Sequence, residues 1–148
     1  MKKIGLFIAI FAVTLFIVSG ISHSAENTIV GVWMIIDGGE TKSERGQIEI
    51  YKKNGVYEGK IISLRGADPN VKCTSCTGEK KDQPLLGMVI MYDMKKKGKN
   101  KYGDGKFFDI GNGRESVCKL SLVNPDRLKV YLFENSKWIS IYDWHRIQ

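Results

Sequence analysis

Histidine and cysteine are scarce in this chain of 148 residues, and no long apolar run follows the first twenty or so positions. The two histidines are His23 and His145. With so few imidazoles, general acid–base chemistry has few carriers. No Ser-His-Asp order, no pair of carboxylates in an apolar context and no phosphate-cradling glycine loop is present, so the reading assigns no catalytic residue and expects a protein that is not an enzyme. The three cysteines are Cys73, Cys76 and Cys118, an odd number that leaves at least one thiol unpaired within a monomer. They are too few to be the scaffold of a domain this size. A bilayer span needs about 20 apolar residues, and nothing after the N-terminal segment supplies them. No convincing helix and no internal repeat is visible.

The N-terminal segment has the composition of a targeting sequence. Lys2 and Lys3 precede an apolar run from Ile4 to Val18, and small and polar residues follow from Ser19 to Ala25. This is the pattern of a secretory signal peptide, residues 1–24, with Ser22 and Ser24 at the positions that precede cleavage. An uncleaved anchor is the competing reading, and the run is short for that. Residues 25–148 then form one domain, delivered to the periplasm or secreted. The formal charge is +7, of which Lys2 and Lys3 contribute two, so the exported chain is modestly basic. That favours anionic surfaces. It is weak support for nucleic acid, and export argues further against that partner.

From residue 30 onward, apolar residues alternate or form short β-branched and aromatic runs, bounded by Gly, Asn and Asp. The pattern predicts strands near 30–36, 47–52, 56–64, 85–93, 106–110, 116–123, 127–133 and 137–146. Asn54-Gly55 is a strong hairpin signal, and Asn124-Pro125-Asp126 and Glu134-Asn135-Ser136 mark further turns. Short connections make neighbours antiparallel. Eight such strands close into an all-β, eight-stranded antiparallel up-and-down barrel. Gly31-x-Trp33 opens the first strand and Trp144-x-Arg146 closes the last, and they meet only if the sheet closes.

Alternation assigns an interior face: Ile48 and Ile50; Tyr57, Gly59 and Ile61; Cys118, Leu120 and Leu122; Leu128, Val130 and Leu132. Gly59 on that face leaves room for a guest. The last strand is ambiguous, because both Ile139/Ile141 and Trp138/Tyr142/Trp144 are apolar. The connection at 65–84 is long and without period, and loops of that length are often lids or binding loops. It is placed across one mouth.

The Gly31-x-Trp33 and Arg146 pair resembles the lipocalin and wider calycin arrangement. There an arginine of the last strand lies over the tryptophan and closes one barrel end. The ordered segments Asn54–Ile61, Asp68-Pro69-Asn70, Pro84–Met88, Gly105–Asp109 and Trp144-His145-Arg146 are similar to a family of small exported bacterial proteins, a domain of unknown function thought to be lipocalin-like. Ile110 stands where members often carry Pro. The resemblance implies a barrel and a small-molecule pocket, with Trp33 and Arg146 as structural closure. It implies no catalytic residue, because that family has none established.

Cys73-Thr74-Ser75-Cys76 admits three readings: a local disulfide that pins the loop, a redox pair, or part of a metal site. The first is preferred, since no helix follows to lower a thiol pKa and ligands for zinc are too few. Cys118, between apolar neighbours, reads as a buried free thiol. The run Gly103–Asp109 fails the calcium-loop pattern. No metal and no cofactor is assigned. Lys95, Lys96 and Lys97 belong to a basic hairpin tip, either a solvated turn or a contact for an anionic surface.

The leading expectation is an exported, monomeric binding protein for a small hydrophobic or amphiphilic ligand. Its site residues are Ile48, Ile50, Tyr57, Ile61, Met88, Tyr92, Leu120 and Val130. The alternative is an envelope interaction protein with a filled barrel, acting through the 65–84 loop and the lysine-rich turn. A redox or enzymatic role of Cys73 and Cys76 is the third reading.

Overall fold

A computed structural model describes residues 28–36 and 44–148. The predicted signal segment lies outside the described residues, as do residues 37–43. Eight strands follow in order: β1 (Gly31–Ile36), β2 (Glu44–Lys53), β3 (Val56–Leu64), β4 (Val89–Gly98), β5 (Lys101–Asp109), β6 (Arg114–Asn124), β7 (Arg127–Glu134) and β8 (Lys137–Arg146). Each pairs with its neighbours and β8 returns to β1, which makes a closed barrel. The closing register sets Trp33 opposite Arg146 and Met34 opposite His145, antiparallel.

Local chemistry explains the connections. Asn54 and Gly55 both take positive φ, at 50° and 84°, which matches the twist of a tight hairpin between β2 and β3. Asn135 and Ser136 do the same between β7 and β8. Asn100 (φ 60°) turns β4 into β5.

The three lysines Lys95, Lys96 and Lys97 are not in that turn: they are strand residues of β4, with Lys95 opposite Gly103 and Lys96 opposite Tyr102. Pairing with β5 extends the strand past the point where composition reads as solvated turn, and Lys97 forms an ion pair with Asp104. At the other end β4 begins at Val89, not 85, because Leu85 to Met88 belong to the long connection.

Interior and exterior follow the pleat. Trp33, Ile48, Ile50, Met91, Met94, Leu128, Val130 and Trp144 are fully buried in one cluster, with Tyr57, Ile61, Leu120 and Leu122 beside them. The room expected at Gly59 is taken: a Cβ there would lie 2.7 Å from Ile48 Cδ1 and 3.1 Å from Met91 Cε. The missing side chain lets core residues interlock instead of leaving a void.

The ambiguous last strand is settled by a bulge. Leu132 faces Ser140, but Phe133 faces Trp138, so β8 carries one extra residue, Ile139. Tyr142 and Trp144 therefore point inward while Trp138, which an unbroken alternation would place beside them, points out and is 65% exposed.

Candidate functional site

The two ends of the barrel differ. At the end holding the chain's C-terminus, Arg146 stacks its guanidinium 4.2 Å from the centre of the Trp33 ring. Its Nη1 and Nη2 donate to the carbonyls of Val30 (2.7 Å) and Thr28 (2.6 Å), and its Nε donates to Pro125 (2.6 Å). Trp33 Nε1 donates to the Ile29 carbonyl at 2.8 Å. One cation thus satisfies carbonyls from both sides of the seam while covering an indole face. Burial lowers the Arg146 pKa, with Asp126 acting in the opposite direction. Gly31 completes the seam: it holds φ +140° and a Cβ would meet the Arg146 guanidinium and the Gln148 carbonyl.

The opposite end holds a cavity of about 490 Å³. Ile35, Ile61, Leu64, Ile90, Phe107 and Ile110 supply its apolar wall, and Tyr142, Arg45, Ser63 and Asp109 bring polar groups to it. Phe107 lies 6.4 Å from Tyr142 and 6.3 Å from Trp144 between ring centres, so an aromatic layer separates the cavity from the packed floor. Trp144 Nε1 is buried without a hydrogen-bond partner among the described residues. The Asp109 carboxylate is occupied by its own turn, accepting from the Gly111 amide (2.8 Å) and Asn112 Nδ2 (2.9 Å). That assigns it to shaping the β5–β6 connection.

Only Ile61 among the eight expected ligand contacts lines this cavity. Ile48, Ile50, Tyr57, Leu120 and Val130 do face inward, but they are buried in the packed core. Alternation reports which face a residue takes and not its height along the barrel, so it could not separate floor from cavity. Met88 is in the long connection and packs at its edge. Tyr92 is a correction. It pairs with Lys106 on the outer face, and its hydroxyl donates to Glu115. The β4 strand bulges around Ile90 and Asp93, with Asp93 at φ 58°, so a simple count from Met88 misplaces it. Phe107 and Tyr142 stood among apolar residues of predicted strands, but Phe108 beside the one and Ile141 beside the other left their facing open until pairing fixed it; Arg45, Ser63 and Leu64 carried no signal.

The long connection packs on the outer wall beside the mouth. Cys73 and Cys76 form a disulfide, and Cys118 is a buried free thiol whose pKa burial pushes up to about 12. Cys73, Cys76 and Phe108 form a second small core, joined by Tyr92, Leu85, Met88 and Ile110. Ser75 Oγ donates to the Ile110 carbonyl at 2.6 Å, and Lys80 Nζ lies 5.2 Å from the Phe108 ring centre and 5.5 Å from that of Tyr92. Ile110, in the β5–β6 connection, packs against the core of this β3–β4 strap and also lines the cavity. The strap flanks the mouth.

A closed eight-stranded antiparallel barrel with this topology is a lipocalin-like barrel. Its fold is similar to that of the protein HP1028 from the human pathogen Helicobacter pylori, described as belonging to the lipocalin family. The TM-score is 0.71 at 16% sequence identity, over 82% of this chain and 84% of that one. No curated protein matches the sequence. By sequence the chain belongs to the DUF2147 family, described as an uncharacterized protein conserved in bacteria, whose model matches residues 31–139.

Proposed function

We propose that this protein binds a small apolar or amphiphilic molecule in the cavity at the open end of the barrel. The asymmetry of the interior carries the reading: one end is packed solid over the Trp33–Arg146 seam, and the other leaves about 490 Å³ walled mainly by aliphatic and aromatic groups. Ligand cavities commonly span about 300–1,000 Å³ with a few convergent polar groups. The ligand's apolar body would lie against Ile61, Leu64, Ile90 and Phe107, at about 0.8 kcal/mol per buried methylene. Its polar end would turn to the mouth, toward Arg45, Ser63 and Tyr142. HP1028's description as a lipocalin supports a binding role by analogy of fold.

On this proposal the protein acts as a binder outside the cytoplasm, as a monomer and without catalysis. The leader-like composition of residues 1–24 supports export. The engagement of Asp109 by its own turn supports a structural and not a catalytic carboxylate.

The test is titration with an environment-sensitive fluorescent fatty acid. Wild type should bind it with one saturable site, and Ile61→Trp, which fills the cavity from its wall, should weaken binding at least about tenfold with the fold retained. Val130→Ile, a change in the packed core, should leave affinity near wild type. Equal affinity of Ile61→Trp and wild type would place the ligand elsewhere and remove the proposal.

A further inference from the structure

The bulge at Ile139 creates a surface that the cavity alone does not explain. Turning Trp138 outward sets it opposite Phe133, which itself stands opposite Val117. In the next row Tyr131 lies between Lys119 and Ile141. Three rings and two aliphatic side chains thus form one patch across the outer face of β6, β7 and β8, with Trp138 65% and Val117 50% exposed. The patch sits at the open end. Ile139, beside Trp138, lines a second cavity of about 230 Å³ that shares Asp109 and Tyr142 with the main one.

Charge decides what covers it. Lys119 Nζ lies 4.8 Å from the Phe133 ring centre, and Lys129, two residues from Tyr131 on β7, shares that face. Of the acids nearby, Glu115 is held by Tyr92 and Lys106 and Asp143 by Arg127, while Glu134 stands opposite Lys137. The balance around the rings is positive. A two-fold pairing of this face with a second copy would bring two positive faces together. Tryptophan and tyrosine instead favour the boundary between water and acyl chains, where lysines meet anionic headgroups.

We propose that this outer face docks the open end of the barrel on an anionic lipid surface. The inference rests on the binding reading for its purpose, delivering or collecting a lipid-derived guest, but its measurement is separate. The chain beginning at Ala25 carries every strand of the closed barrel and is the form to test. Trp33 and Trp144 are fully buried, so a change in tryptophan emission reports Trp138.

With phosphatidylglycerol vesicles the emission should shift to the blue and be quenched by brominated acyl chains; phosphatidylcholine vesicles should give neither. Trp138→Ser should sediment less with the anionic vesicles. The double change Lys119→Glu and Lys129→Glu, which keeps the reporter, should lower partitioning about thirtyfold or more, since two attractive charges at an anionic surface become repulsive. Ile61→Trp should sediment like wild type while losing the fluorescent fatty acid. Vesicle binding without fatty-acid binding would overturn only the cavity reading. Equal partitioning of the charge-reversed and wild-type proteins would overturn the docking surface. So would a Trp138 shift that follows protein concentration without lipid, which marks a second copy.

Discussion

Arg146 ties the barrel seam together from a half-buried position. It stacks on Trp33 and donates to three carbonyls, of Thr28, Val30 and Pro125. Arg146→Ala should destabilise the protein by about 2–3 kcal/mol in denaturant titration, because the carbonyls and the indole face lose their partner together. Arg146→Lys should recover less than half of that, since an ammonium lacks the planar fork. Cys118 supports a prediction of a different kind. Its thiol is fully buried, with a folded pKa pushed up to about 12 from a reference of 9.0. The native state therefore holds its proton where the unfolded state releases it. The contribution is complete below about pH 9 and is lost progressively as pH rises toward the folded value. Unfolding free energy measured across that range should fall with increasing pH, and Cys118→Ala should flatten the curve. Native protein at neutral pH should resist iodoacetamide until denaturant is added.

At the scale of elements, the strap between β3 and β4 has a small core of its own on the barrel wall. Its disulfide, the second core around Phe108 and the bond from Ser75 to Ile110 hold it to the outer wall. The covalent ring is short, so removing it by Cys73→Ser and Cys76→Ser should cost about 2 kcal/mol on the chain-entropy account. Hydrogen exchange should localise that loss to 65–88, with the amides of β6 and β7 unchanged. An effect spread evenly over all strands would mean that the strap and barrel open as one unit. Bulges are the other element-scale device. The one in β8 turns Trp138 to solvent, and those in β4 turn Tyr92 away from the interior. Each reverses the facing of everything beyond it.

Over the whole molecule, closure removes sheet edges, and the aromatic layer of Phe107, Tyr142 and Trp144 divides a solid floor from an open cavity. A ligand held in that cavity binds only the folded barrel. At a free concentration of about 100 times its Kd, the fatty acid should raise unfolding stability by about 2.7 kcal/mol. Chemical denaturation with and without it measures this, and Ile61→Trp should show no such increment. The ion pair of Arg127 with Asp143 lies on the outer face and is half-exposed. It holds the Asp143 pKa below its ordinary value, mainly through the Arg127 hydrogen bond. Its stabilisation is present above the unfolded carboxylate pKa and fades as pH falls through the folded one, with a size under about 1 kcal/mol after solvent screening.

The barrel itself was legible in the chain. Alternation within β2, β3, β6 and β7, the Asn54-Gly55 turn and the matching Trp33 and Arg146 at the two ends are local signals, and the physics behind them is local: pleat period, turn conformation and the complementarity of a cation with an indole. The binding wall was not. Whether Ile48 or Ile61 meets a guest depends on height along the barrel, and the packing of Met91 and Ile48 into the space beneath Gly59 decides where the interior stops being solid. The outward turn of Trp138, the outer position of Tyr92 and the strand state of Lys95 to Lys97 depend on pairing with a neighbouring strand, which no single segment encodes. Local chemistry determined that a closed sheet forms and how its seam is sealed; cross-strand register and three-dimensional packing decided where it is hollow and which face it shows.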